Sequence, residues 1–168
     1  MKGGESLVEI FEEQTIIDQQ LEIESITYIL YENDLYKDAY VSLIDTSKSL
    51  FNKNCIEFVS QIFNPIKNQQ NSTSVYLPLN TSYFVIIKAT EIYSDDFVQK
   101  DGLFTVPIET ALKASLWSVD ETEYWSATIK HQTLKTKNSS TIGIESANLI
   151  YDQITKYFYS EKNCMTQY

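Results

Sequence analysis

The sequence predicts an α+β fold: a helical N-terminal half of three to four helices, then a mainly antiparallel sheet of three to five strands with a short and a long C-terminal helix. Three observations carry that expectation. Apolar residues recur at steps of three and four up to Pro65, β-branched and aromatic runs dominate from Val75 onward, and helical runs precede strand runs instead of alternating with them. A chain of 168 residues fits one domain, and a domain of that size buries roughly 70% of its unfolded surface, enough for a core without metal or disulfide staples. The stretch 67–74 (KNQQNSTS) has no apolar residue and reads as a loop between a helical 1–66 and a β-rich 75–168 region, neither expected to stand alone.

Taken in order, Leu7, Ile10, Phe11, Ile17 and Leu21 mark the apolar face of a first helix over Glu5 to Gln20. Ile23, Ile26, Ile29 and Leu30 continue the pattern after a phase slip at Glu22. Tyr36, Ala39, Tyr40, Leu43, Ile44, Ser47, Leu50 and Phe51 form the cleanest helical stripe, with Asp34 as its cap. A fourth helix is expected through Cys55, Phe58, Val59, Ile62 and Phe63, stopped by Asn64-Pro65. Beyond the loop, Val75 to Leu77 and Tyr83 to Ile92 read as a hairpin, the second run apolar on both faces and therefore central. Leu103 to Val106 adds a strand, Pro107 opens a short helix carrying Ile108, Ala111, Leu112 and Leu116, and Thr122 to Leu134 alternates as a half-buried strand. Ile144, Ala147, Tyr151, Ile154 and Phe158 line the last helix.

Charge narrows the function. The chain has 13 lysines, no arginine and 23 acidic residues, for a formal net charge of -10. Nucleic-acid binding, driven by counterion release from a basic patch, is disfavoured, and any site built on an Arg clamp is excluded. No window offers 18 consecutive apolar residues, so no membrane partner is expected, and the acidic start does not read as a signal peptide. Cys55 and Cys164 have neither a zinc spacing nor a disulfide framework and are expected as reduced thiols in a cytoplasmic setting, or in a particle assembled there, as in a virus or phage. The triplets at Asn71, Asn80 and Asn138 then read as chance glycosylation patterns.

The acidity is segregated: Gly3 to Tyr36 holds nine acids and no Lys. That segment reads either as a solvated face or as a docking surface for a basic protein, with Glu5, Glu9, Glu12, Glu13, Asp18 and Glu22 as its acids. Tyr28, Tyr31 and Tyr36 sit beside it, and tyrosine is enriched at protein interfaces. Self-association is a further reading, the acidic end of one copy meeting the Lys130 to Lys137 strip (KHQTLKTK) of the next, head to tail.

Catalytic signatures are sparse. There is no Gly-rich phosphate loop and no Gly-x-Ser-x-Gly elbow, and no cofactor or metal motif is found. The one enzyme constellation to consider, a small hydrolase or metal-dependent site, would join His131 to carboxylates among Asp95, Asp96, Asp101, Asp120, Glu121 and Glu123. The commoner reading of those acids is solvated turns.

The segment Leu30 to Asn52 (LYENDLYKDAYVSLIDTSKSLFN) resembles the helical hairpin core of HEPN-type domains. That resemblance implies a helical domain without nuclease activity, since the family's RNA-cutting members carry an Arg-x4-6-His motif and this chain has no Arg. The expectation carried forward is a non-enzymatic interaction or assembly protein: a structural subunit of a larger particle, or an acidic binder, chaperone or inhibitor of a basic partner.

Overall fold

The computed structural model describes residues 8–64, 81–93, 98–100, 103–105, 108–131 and 139–159. Its centre is a six-stranded mixed sheet in the order β1-β9-β8-β5-β3-β4. The strands are β1 (Val8–Thr15), β3 (Ser25–Tyr31), β4 (Glu57–Phe63), β5 (Tyr83–Tyr93), β8 (Ile108–Ser118) and β9 (Glu123–His131). β3 runs parallel to both β4 and β5, whereas β5, β8, β9 and β1 pair antiparallel. Short strands β2 (Leu21–Glu22) and β10 (Phe158–Tyr159) pair in parallel, and β6 (Val98–Lys100) pairs with β7 (Leu103–Thr105). Two α-helices lie among the described residues, α1 (Lys37–Asn52) and α2 (Ser139–Ile154), packed on each other.

This corrects the helical N-terminal half. Val8–Thr15 and Ser25–Tyr31 are strands where two helices were expected, Glu57–Phe63 is a strand where a fourth was expected, and Ile108–Ser118 is a strand where a short helix was expected. The physical reason is clearest in β3. It lies between two parallel neighbours and is buried from Ser25 to Leu30 on both faces, so it needs a near-continuous apolar run, and such a run carries no period of two. Steps of three and four among Ile23, Ile26 and Leu30 then arise from composition alone. In β8, Leu112, Ala114 and Leu116 alternate inward, but Ala and Leu favour helix intrinsically and tertiary pairing overrides them. The HEPN-like hairpin is corrected by the same observation: Leu30 and Tyr31 close a strand, and α1 leads into strand β4.

One face of the sheet carries the core. Val85 stands beside Leu116, Leu116 beside Trp125, Ile87 beside Ala114 and Ala114 beside Ala127 in the ladder, and all six are buried. Tyr28 from β3 meets Phe51 of α1 edge-on at 5.9 Å and Phe58 of β4 at 4.9 Å, contacts each worth about 0.5–1.5 kcal/mol beyond their burial.

α1 ends in a left-handed cap. The Ile56 N–H donates to Phe51 O at 3.0 Å and the Cys55 N–H to Asn52 O at 3.1 Å, with Cys55 at φ 59, a Schellman motif at a position that favours glycine. Cys55 is disulfide-bonded. The expectation of a reduced thiol at this position is therefore corrected; the sequence holds one other cysteine, Cys164, which lies outside the described residues.

Candidate functional site

The chemistry-bearing side chains converge at the end of the sheet where β5 and β9 begin. Tyr83 is the first residue of β5 and Tyr124 the second of β9. Tyr124 falls in a bulge: Leu116 faces Trp125 but Trp117 faces Glu123, so Tyr124 is the extra residue. Bulges re-aim the side chain they carry. The Tyr124 carbonyl accepts from the N–H groups of Ile16 and Ile17 at 2.9 and 3.2 Å, which fixes the bulge from the β1 side. The Tyr124 ring meets Tyr83 edge-on, with centroids 6.3 Å apart.

Phe158 closes the group from the far end of the sequence. The chain leaves α2 through a 3-10 turn, Thr155–Tyr157, and enters β10, which lies parallel to β2 with Phe158 opposite Leu21 and Tyr159 opposite Glu22. Phe158 packs tilted against Tyr83 at 5.7 Å. This brings Glu22 to the aromatic group. Asp120 reaches it from the β8–β9 turn, because Ser118 is the ladder partner of Tyr83. The Asp120 carboxylate accepts from the Ser118 hydroxyl and, at 3.3 Å, from the Thr122 N–H. Hydrogen bonds from Ser118 and then Thr122 hold its carboxyl below the usual range, so it stays ionised at neutral pH. Burial, followed by the proximity of Tyr124, Tyr159, Asp120 and Glu22, pushes the Tyr83 phenol up, so it stays protonated.

The result is a cluster of three aromatic rings, with Tyr159 and the carboxylates of Glu22 and Asp120 close enough to act electrostatically on Tyr83. Tyr83, Tyr124 and Phe158 are half-buried and Tyr159 is exposed. Ile16, beside the Tyr124 carbonyl, and Val119, whose N–H donates to Ser82 O at 3.2 Å, are exposed apolar shoulders, 44% and 52% accessible.

The residues singled out in the sequence fall in several places. Glu9, Glu12 and Glu13 are exposed along β1, and Asp18 and Glu22 are exposed on the way to and within β2. Glu22 alone among them joins the cluster; Glu5 lies outside the described residues. Tyr28 and Tyr36 are fully buried and Tyr31 is half-buried, its ring carrying the Lys88 ammonium 4.5 Å from its centre. The first two are core side chains in this fold.

His131, the last residue of β9, is buried at 6% exposure. It packs against Tyr36, the residue before α1, its Nε2 hydrogen-bonded to the Tyr36 hydroxyl and its ring edge-on to Tyr36 at 5.4 Å. The proposed acids lie elsewhere. Asp120 and Glu121 lie in the turn before β9, Glu123 opens that strand and His131 ends it, a span of roughly 25 Å from Glu123 to His131 at 3.3 Å per residue. The fold separates these members of the enzyme constellation; Asp95, Asp96 and Asp101 lie outside the described residues. Among the described residues no group of three or more His, Cys, Asp and Glu could hold a metal ion, and no helix is long and apolar enough to cross a membrane.

The sequence singles out Glu22 and Asp120, in separate readings, but does not show Tyr83, Tyr124, Phe158 and Tyr159 as members of one site. Tyr124 lay in an alternating run that concealed the bulge, and the β2–β10 pairing joins residues 137 positions apart, as Leu21 and Phe158 show.

No family model matches the chain, and no curated protein matches it. Solved structures give weak likenesses. A PelC dodecamer from Paraburkholderia phytofirmans is 11% identical with a TM-score of 0.43, covering 83% of this chain and 93% of that one. A second crystal form of the PelC dodecamer is 12% identical at a TM-score of 0.42, covering 85% and 94%. A neuraminyllactose-binding hemagglutinin homolog from Helicobacter pylori is 13% identical at a TM-score of 0.32, covering 85% and 90%.

Proposed function

We propose that this chain is a non-enzymatic binding or assembly protein that presents an acidic, tyrosine-rich end to a basic protein partner. The observation that carries this reading is the convergence of Tyr83, Tyr124, Phe158 and Tyr159 with the carboxylates of Glu22 and Asp120. Aromatic side chains with an apolar body and a polar tip are what protein interfaces enrich, and an excess of negative charge steers a positive surface toward them. The separation of His131 from Asp120, Glu121 and Glu123 removes the geometric support for using those acids in catalysis.

Head-to-tail self-association through the lysine strip has less support than docking of a separate basic partner. In the fold, Glu9 stands opposite Lys130 in the antiparallel β1–β9 ladder, so part of the acidic strand faces part of that strip within one chain. The Cys55 disulfide favours an oxidising compartment over the cytoplasmic setting expected from the sequence.

Sedimentation with a lysine-rich protein at low and high salt tests the reading. The expected result is a complex that weakens as salt screens it. A chain that stays monomeric and free at both salt concentrations would overturn the proposal.

A further inference from the structure

We propose that the cluster of Tyr83, Tyr124, Phe158 and Tyr159, rimmed by Glu22 and Asp120, receives the cationic head of a lysine side chain from a segment of the basic partner. The inference rests on the binding reading above and names the group recognised. An aromatic ring carries negative potential on its face, and an ammonium ion set against several such faces is attracted by each. The Tyr83 ring stands at 78° to that of Tyr124 and at 47° to that of Phe158, so the group is an open cluster and not a stack. Tyr159, 48% exposed and one residue beyond Phe158, extends the group toward solvent.

The carboxylates supply what rings alone cannot. Glu22 is exposed and paired in register with Tyr159, and Asp120 is exposed with one oxygen fixed by Ser118 and Thr122. An ammonium has three donors, which suits neutral phenol oxygens and carboxylates together. A protonated Tyr83 adds no negative charge of its own but offers an acceptor oxygen. Lys156, the nearest lysine in sequence to Phe158, directs its ammonium to Gln153 Oε1 at 3.0 Å.

The flanks favour a protein segment over a free small cation. Ile16 and Val119 are linked to the neighbourhood of the cluster by backbone, the Ile16 N–H donating to the Tyr124 carbonyl and the Val119 N–H to the carbonyl of Ser82, next to Tyr83. Their exposed side chains add apolar area beyond the reach of a lone ammonium group but within reach of residues next to a lysine.

The test is calorimetric binding of a lysine-containing basic peptide, its lysine-acetylated counterpart and choline. The proteins are wild type, Tyr83→Leu, Tyr159→Ala, Asp120→Asn and the distant control Glu57→Gln, each checked for folding by circular dichroism. Loss of the cation–ring contact in Tyr159→Ala or Tyr83→Leu is expected to weaken the lysine peptide roughly tenfold. Acetylation is expected to have at least that effect, and Glu57→Gln to leave affinity unchanged. Tyr159 is half in solvent, so its truncation keeps the test valid should Tyr83→Leu fail to fold. If wild type binds the peptide but Tyr159→Ala and Asp120→Asn bind it as tightly, this inference falls while the basic-partner reading stands. If wild type binds no basic peptide or protein, the reading itself falls. Choline binding as tight as the peptide's would overturn the assignment to a protein segment.

Discussion

Gly143 of α2 lies so close to the carbonyl oxygen of Ala39 in α1 that a methyl group at position 143 would overlap it, and would overlap the Ser42 hydroxyl as well. The same hydroxyl donates to Ser140 O at 2.8 Å, so the two helices are joined there by a hydrogen bond as well as by contact. Gly143→Ala gains intrinsic helix propensity of about 1 kcal/mol but has to push apart backbone and a bonded side chain. The clash outweighs the gain. Net destabilisation of about 1–3 kcal/mol is expected, read in a thermal melt as a fall on the order of 2–4 °C per kcal/mol; an unchanged or higher Tm would show that the helices do not meet at this point.

High pH should unfold the protein through its buried phenols. Burial pushes Tyr28 well above its ordinary value, and burial together with Tyr36 does the same for Tyr40. Both folded pKa values are raised, so their contribution is intact below about pH 10, the unfolded value, and is lost progressively as pH rises through the folded ones. The expected slope is about 1.4 kcal/mol per pH unit for each tyrosine that stays protonated in the fold. Tyr28→Phe should remove one of these contributions. Because the Tyr28 and Ser47 hydroxyls are both buried without completing a hydrogen bond, it should also leave neutral-pH stability unchanged or raise it by about 1 kcal/mol. Urea denaturation at pH 7 and above pH 10 checks both statements.

Particular elements show how far the sequence speaks. The stripe that starts at Tyr36, the N-cap, and ends at Phe51 is the buried side of α1, because a helix resting on a sheet has one such side, and Ala39, Tyr40, Leu43, Ser47 and Phe51 lie on it. β5 was legible as a central strand for a similar reason, since its β-branched run from Val85 to Ile87 has no polar interruption. Val8–Thr15 was not legible. Its alternation of Val8, Glu9 and Ile10 breaks at the shift between Phe11 and Gln14, and Glu12 at φ 57 absorbs the irregularity. The aromatic cluster was least legible, because it depends on the Tyr124 bulge and on pairings between the two ends of the chain.

The disulfide at Cys55 explains a residue that is poorly suited to its backbone. A side chain at φ 59 costs about 1–2 kcal/mol where glycine costs little, and here a cysteine occupies that position at the end of α1. Two opposite effects are expected from Cys55→Gly. Without reductant the variant should be less stable than wild type by about 2–4 kcal/mol, having lost the cross-link. In excess reductant the order should reverse, since the strain remains only in wild type. Parallel melts with and without reductant, with thiol counting on the native protein, would measure this; a free Cys55 thiol in protein prepared without reductant would sink it.

Glu13 tests whether an acid in the N-terminal segment is structural. Its carboxylate accepts from the Trp125 indole N–H at 2.8 Å, and Trp125 is fully buried in the core while Glu13 itself is exposed. A hydrogen bond to a charged acceptor that satisfies a buried donor contributes about 1.5–3 kcal/mol. Glu13→Ala should therefore lower stability by that order and shift the tryptophan fluorescence, whereas Glu13→Gln keeps an acceptor in place and should recover much of the loss. Binding to a basic peptide should follow a different pattern. Glu13→Gln removes one unit of long-range charge and leaves the Tyr83 cluster untouched, so affinity should fall by less than in Asp120→Asn at low salt. Equal losses in the two variants would mean that attraction is spread over the whole acidic edge, and that the aromatic cluster gives it no address.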